Sequence, residues 1–298
     1  MSANENILRE KLVEIEPNAA NFTISLPIIT SSSGKRYFAK VGSRSETEQY
    51  TGETESLKHI YNAAPGLAPR VLQSGISPTS GKPYFISEYL DITYHSNASM
   101  KKLASRLASE LHVYKSDKGF GFDVPTFCGA TRMKNGWYDT WESCYDALIG
   151  GLQEGLEKRG ATRPLCEKIA EVRRTVIPFL LGPLNIEPVL LHGDLWSGNT
   201  GLDKKTNEPV IYDPSSFYGH NEADLAIARI FGGFPTSFFE KYHELLPKSE
   251  PADQYEQRLS LYKLFHYLNH ALLFGSGGGY ASTASELMDE LINICQSK

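Results

Sequence analysis

The residues best suited to chemistry lie in Leu191-His192-Gly193-Asp194-Leu195-Trp196-Ser197-Gly198-Asn199 and, further on, Ile211-Tyr212-Asp213. Asp194 stands five residues before Asn199, and Asp213 ends a short apolar run fourteen residues after that asparagine. Moving a phosphoryl group from ATP to a hydroxyl calls for such groups. One carboxylate takes or orients the proton of the attacking hydroxyl, while an amide oxygen and a second carboxylate hold Mg²⁺ against the phosphates. Asp and Asn are common in turns, so either alone reads as loop chemistry. Their joint spacing between two β-like runs, Val189 to Leu191 and Pro209 to Tyr212, favours catalysis.

The Asp-x-x-x-x-Asn spacing matches the catalytic loop of protein kinases, with His-Gly-Asp in place of His-Arg-Asp and Asp-Pro in place of Asp-Phe-Gly. Such chemistry needs an upstream lysine and glutamate that pair over the phosphates. Lys40 lies in the strand-like run Arg36 to Val41. Glu53 is three residues after Tyr50 and four before Leu57, on the apolar face of a predicted helix. Glu55 falls on another face, so Glu53 is the expected partner of Lys40. Pro83 to Leu90 reads as the last strand of a small lobe running into a hinge. Glu88 and Leu90 are the expected backbone contacts of an adenine ring.

The elements around these groups suggest an α+β chain with a small β-rich lobe over residues 1–90 and a larger helical lobe over residues 91–298. A short N-terminal helix carries Leu8, Leu12 and Ile15 on one face. Phe22 to Ile29 and Lys35 to Val41 read as a hairpin around Ser31-Ser32-Ser33-Gly34. A helix over Glu46 to Tyr61 follows, then strands near Arg70 to Leu72 and Pro83 to Tyr89, with a turn from Ser74 to Gly81. Met100, Leu103, Leu107 and Leu111 form a helical stripe behind Ser96 or Asn97 as cap. Trp137 to Leu152 and Leu165 to Val176 suggest two more helices. The last helices are expected at Glu222 to Phe231, Thr236 to Leu246, Gln254 to Phe274 and Ser282 to Cys295. Gly275 to Tyr280 follows a helix rather than a strand, so it reads as a flexible turn and not a phosphate cradle.

Apolar residues are 41% of the 298 and charged residues 22%, a normal globular composition. The net charge of -5 disfavours a nucleic-acid binder. The richest apolar stretch, Val176 to Leu191, is broken by Pro178, Pro183 and Pro188, so no membrane span is expected. Cys128, Cys144, Cys166 and Cys295 lack metal-ligand spacing and read as free thiols in a reducing compartment, the cytoplasm.

Beyond these patterns the chain resembles the fructosamine kinase (ketosamine-3-kinase) family, in the aminoglycoside phosphotransferase-like branch of the protein-kinase-like fold. The resemblance rests on His192 to Asn199, Asp213-Pro214-Ser215-Ser216-Phe217-Tyr218-Gly219-His220 and Glu222 to Ala226. Gly121-Phe122-Asp123, Thr126 to Gly129, Asn135-Gly136-Trp137 with Trp141, Phe231 to Phe234, Leu264 to His270 and Phe274-Gly275 also match. It implies a bilobal fold with an antiparallel-sheet first lobe. It also implies transfer of the ATP γ-phosphate to the 3-hydroxyl of a fructosamine or ribulosamine, carried on a small amine or on a protein lysine. The phosphorylated adduct decomposes, which repairs the amine. By carry-over Asp194 is the base, Asn199 and Asp213 the Mg²⁺ ligands and Lys40 the phosphate-binding lysine. Trp196 and His270 face the sugar, with His220 and Asn269 as further candidates.

Two departures stand out. Relatives usually carry a glycine-containing, serine-rich phosphate loop between the first two strands, whereas Asn21 to Ser33 holds no glycine. Arg132-Met133-Lys134 replaces a stretch where relatives more often have Pro and Gln. The rival readings are a kinase of the same fold acting on an aminoglycoside or amino sugar, and a non-catalytic ATP-binding protein. The first would want a strongly acidic C-terminal region, and the tail from Ser282 offers only Glu286, Asp289 and Glu290.

Overall fold

The computed structural model describes residues 3–275 and 277–297. Helix α1 (Ala3–Ile15) precedes strands β1 (Phe22–Ser25), β2 (Ile28–Ser31) and β3 (Arg36–Val41), helix α2 (Thr47–Ala63), and strands β4 (Val71–Ile76) and β5 (Pro83–Glu88). The strands form one antiparallel sheet in the order β1-β2-β3-β5-β4. Side chains alternate across a strand. Tyr37 and Ala39 of β3 therefore point to the face covered by Ile7, Leu8 and Leu12 of α1. Phe38 and Lys40 point to the opposite face, where α2 packs through Leu57 and Ile60.

The turn at Ser31 to Lys35 joins β2 to β3 as expected, closed by the Ser31 amide donating to the Lys35 carbonyl at 2.8 Å. The expected single strand over Phe22 to Ile29 is instead two strands, reversed at Leu26-Pro27. Proline has no amide hydrogen to give a ladder, and the chain turns there. Strand β4 runs on to Ile76, past the turn expected from Ser74, because it pairs with β5 as far as Ile76 opposite Pro83.

Beyond a two-residue strand β6 (Ile92–Thr93), helix α3 (Asn97–Ser109) starts at Ser96, whose hydroxyl accepts from the Ser99 amide. A small hairpin, β7 (Phe127–Cys128) and β8 (Thr131–Arg132), precedes α4 (Trp141–Lys158). Trp137 lies before that helix, which begins at a Thr140 cap. Helix α5 (Arg163–Glu171) continues through a π turn at Val172–Val176 into α6 (Ile177–Leu181), past the expected end. Short strands β9 (Val189–Leu190), β10 (Thr200–Asp203), β11 (Glu208–Ile211) and β12 (Tyr218–Gly219) frame the polar loops. β10 pairs with both β11 and β6. Helices α7 (Glu222–Ala228), α8 (Thr236–Leu245), α9 (Tyr255–Phe274) and α10 (Tyr280–Gln296) complete the second lobe. Helix α9 is apolar on most sides and lies at the centre of the larger core.

Candidate active site

The loop after β9 is held from behind. Asp224, on the buried helix α7, accepts the His192 amide at 2.7 Å and the Gly193 amide at 2.9 Å. His112 faces the same carboxylate at 3.2 Å. Gly193 has φ +83°, and a Cβ there would lie 2.1 Å from the Ser215 carbonyl oxygen. Only glycine meets both demands. His192 ties this loop to the next one. Its Nδ1 accepts the Asp194 amide at 3.2 Å, which leaves Nε2 to donate to the Tyr212 carbonyl at 3.0 Å.

Those ties fix Asp194 and Asp213. The Asn199 side-chain amide donates to the Asp194 carboxylate at 3.1 Å and to its carbonyl at 2.9 Å. Burial pushes the Asp194 carboxyl up to about 7, against the stabilising Asn199 bond and with help from the Asp224 and Asp213 charges. Asp213 sits just after β11 with φ +53°, a conformation Asp tolerates better than most residues. Lys40 reaches Glu53 and Asp213, each at 2.8 Å. Burial works against the Lys40 charge, but the two carboxylates outweigh it and hold its pKa above the ordinary value. Burial raises the Glu53 carboxyl, opposed by Lys40.

Two cavities border this cluster, one at Glu53 and Asp213 and the other at Asp194. One, of about 360 Å³, lies between the lobes and is lined by Pro27, Ile28, Phe38, Glu53, Phe85, Glu88, Leu90 and Asp213, among others. Its mainly apolar walls suit a flat ring. The Glu88 amide donates to the Arg70 carbonyl at 3.0 Å and its carboxylate accepts the Arg70 amide at 3.0 Å, which pins the hinge to the start of β4. The turn that overhangs this cavity is Leu26-Pro27, with no glycine. Ser31, Ser32 and Ser33 are occupied elsewhere, Ser33 donating to Glu16 at 2.6 Å.

The other cavity, of about 230 Å³, is lined by Asp194, Trp196, Phe231, Asn269, His270 and Phe274, with Cys128 in its wall. Trp196 is 37% exposed and meets Phe231 edge-on, ring centroids 5.9 Å apart. His270 lies 5.4 Å from Phe231 and donates from Nδ1 to the His266 carbonyl at 2.7 Å. Asn269 is buried, its amide donating to the Cys128 carbonyl at 3.2 Å.

His220 does not join this group. It is buried, with one ring nitrogen 2.8 Å from the Tyr262 hydroxyl and the other 2.8 Å from the Ser249 hydroxyl. Burial lowers its pKa to about 4. It stands instead beside Glu222, which forms a fully buried two-pronged ion pair with Arg258 at 2.7 and 3.0 Å. Asp224, His112 and this ion pair are supports to which sequence reasoning assigned no role. The only signal was that Asp224 falls inside the run Glu222 to Ala226.

Among the described residues no helix is long and apolar enough to cross a membrane. A model of the fructosamine kinase family matches residues 11–294. The ketosamine-3-kinase of Mus musculus is 36% identical over 282 residues, covering 86% of this chain and 88% of the mouse protein. The chloroplastic protein-ribulosamine 3-kinase of Arabidopsis thaliana is 36% identical over 262 residues, covering 88% and 77% of the two chains. Among solved structures, a thermostable mutant of the aminoglycoside phosphotransferase APH(4)-Ia, in ternary complex with AMP-PNP and hygromycin B, is similar with a TM-score of 0.61 at 16% identity. It covers 96% of this chain and 98% of its own. That likeness shows the kinase-like fold.

Proposed function

The chain belongs to the fructosamine kinase family, and from that premise we propose that it transfers the γ-phosphate of ATP to the 3-hydroxyl of a ketosamine, a fructosamine or ribulosamine adduct of an amine or protein lysine. ATP is the phosphoryl donor. The observation that carries the substrate side is the place of Asp194 in the wall of an aromatic pocket, where burial pushes its carboxyl up to about 7.

The adenine lies between Phe38 and Phe85 on one side and Tyr212 on the other, with backbone groups of Glu88 and Leu90 at its edge. Lys40, oriented by Glu53, holds the phosphates. Asn199 spends its amide on Asp194, so its oxygen is the atom left to offer; with the Asp213 carboxylate it makes a hard, all-oxygen donor pair that suits Mg²⁺. When bound, that ion supplies charge neutralisation on the phosphates. The sugar lies along Trp196 with His270 and Asn269 beside it, and its 3-hydroxyl points at Asp194. As the hydroxyl oxygen attacks the γ-phosphorus, Asp194 takes the hydroxyl proton. The bond to the β–γ bridging oxygen breaks and ADP leaves. The 3-phosphate then decomposes and frees the amine, which makes the reaction a repair of glycation.

The pocket favours a ketosamine over an aminoglycoside. Among the described residues Asp194 is the one carboxylate in its lining, whereas a polycation calls for several. The free thiols of Cys128, Cys144 and Cys166 support placing the enzyme in the cytoplasm. The test is ADP release from ATP with a ribulosamine, a fructosamine and an aminoglycoside in parallel, each with and without Mg²⁺. Mg²⁺-dependent turnover on a ketosamine is expected. Turnover on the aminoglycoside alone would overturn the substrate class.

A further inference from the structure

We propose that the Cys128 thiolate, a carboxylate oxygen of Asp194 and a ring nitrogen of His266 form a binding site for a thiophilic divalent cation of the Zn²⁺ class, and that its occupancy switches the transferase off. The three donor atoms lie within 4.8 Å of one another, and among the described residues this is the one cluster of its kind. They come from three separate elements: β7, the loop after β9, and α9. Cys128 is 2% exposed and His266 5%. The second observation is an unsatisfied one. His266 Nδ1 is buried without a hydrogen-bond partner, and so is Asn269 Oδ1, one turn along the same helix. Buried polar atoms are rarely left so, and a place for a bound ion is one reason for it.

The chemistry separates this site from the Mg²⁺ pair. Sulfur and imidazole select zinc-like ions, whereas Mg²⁺ takes oxygen. Tetrahedral zinc, with bonds of about 2.0–2.3 Å, spaces its donors by about 3.3–3.7 Å, so the side chains close by about 1 Å. The aromatic pocket gives the entry path, since Cys128 and Asp194 both line it. Burial pushes the Cys128 thiol up and lowers His266 to about 3. The imidazole is therefore neutral with a lone pair to give, and the cation displaces the thiol proton to solvent. An Asp194 oxygen bound to the ion cannot accept the hydroxyl proton. This inhibition rests on the role proposed above for Asp194; binding of the ion does not.

The test titrates the metal-free full-length protein with Co²⁺, and separately adds Zn²⁺ to the transferase assay at saturating Mg²⁺ and ATP. We expect a thiolate-to-cobalt charge-transfer band that saturates at one ion per chain and is absent in Cys128→Ser. Affinity falls about tenfold or more in His266→Phe. Zn²⁺ inhibits competitively with the ketosamine, and Cys128→Ser needs about tenfold more Zn²⁺ for the same inhibition, relative to its own rate in chelator. No band, or one that persists in Cys128→Ser, overturns the site. Inhibition that Cys128→Ser leaves unchanged, or bound ion without inhibition, overturns the switch. A protein inactive on every ketosamine even in chelator would instead contradict the proposed function, and the Co²⁺ band would still decide the site.

Discussion

The Asp224 carboxylate accepts the amide hydrogen of His192 at 2.7 Å, across 32 residues of chain. Gly193 gives the same carboxylate its amide at 2.9 Å, so one buried side chain holds two consecutive peptide groups of the loop that carries Asp194. Replacing it by alanine leaves both amides without an acceptor inside the protein. Asp224→Ala is expected to cost about 2–4 kcal/mol of stability, read by urea unfolding. It should lower kcat about 10–100-fold, as loss of a supporting hydrogen bond does elsewhere. Unchanged stability and kcat together would remove Asp224 from this role.

Asp194 predicts a pH dependence with a definite sign. A base must be ionised to act, and burial holds this proposed one at about 7. The rate at low ketosamine should fall about tenfold per pH unit below 7 and level off above it. Stability runs the other way. A raised carboxyl pKa favours the folded state while the group is protonated, and that contribution is lost as pH rises from the unfolded value of about 4 through about 7. Asp194→Asn should therefore be more stable than the natural protein at pH 8, by about 1–3 kcal/mol, with the gain vanishing near pH 4. A flat rate profile from pH 5 to 8 would contradict the account.

Trp196 lines the pocket, meets Phe231 at a ring angle of 70° and lies against Gly198, where an added Cβ would fall 2.1 Å from its ring. Trp196→Ala should raise the KM for ketosamine about tenfold, by loss of stacking, and leave the KM for ATP unchanged. An equal rise in both would place Trp196 in the fold rather than at the sugar.

Gly193→Ala tests the tightness of the loop. The left-handed φ of +83° and the 2.1 Å approach to Ser215 both oppose a methyl group. The expected loss is about 2–4 kcal/mol in unfolding experiments, with activity lost in step. A variant as stable and active as the natural protein would show that Ser215 can retreat.

Local chemistry was legible in the sequence wherever its partners were local or its period was regular. Asp194 and Asn199 share one loop, and their hydrogen bond follows from their spacing. Lys40 and Glu53 meet because strand alternation and helix period each select one residue. What the sequence hid depended on distant partners. Asp224 binds backbone amides, which carry no side-chain pattern. His220 stands in a run that suggested the sugar site, yet Tyr262 and Ser249 claim both its nitrogens. The two-residue strand β6 is too short for any period to mark it. Leu26-Pro27 looked like strand interior and is instead a turn, whose Pro27 lines the cavity between the lobes.

Asp194 carries the proposed chemistry, so its replacement is the most direct measurement. Formation of ketosamine 3-phosphate from ATP should be followed by phosphorus NMR in the natural protein and in Asp194→Asn, with nucleotide affinity measured on both. The account predicts a loss of about 10²–10⁴-fold in kcat with ATP affinity preserved. Undiminished product formation by Asp194→Asn would contradict it.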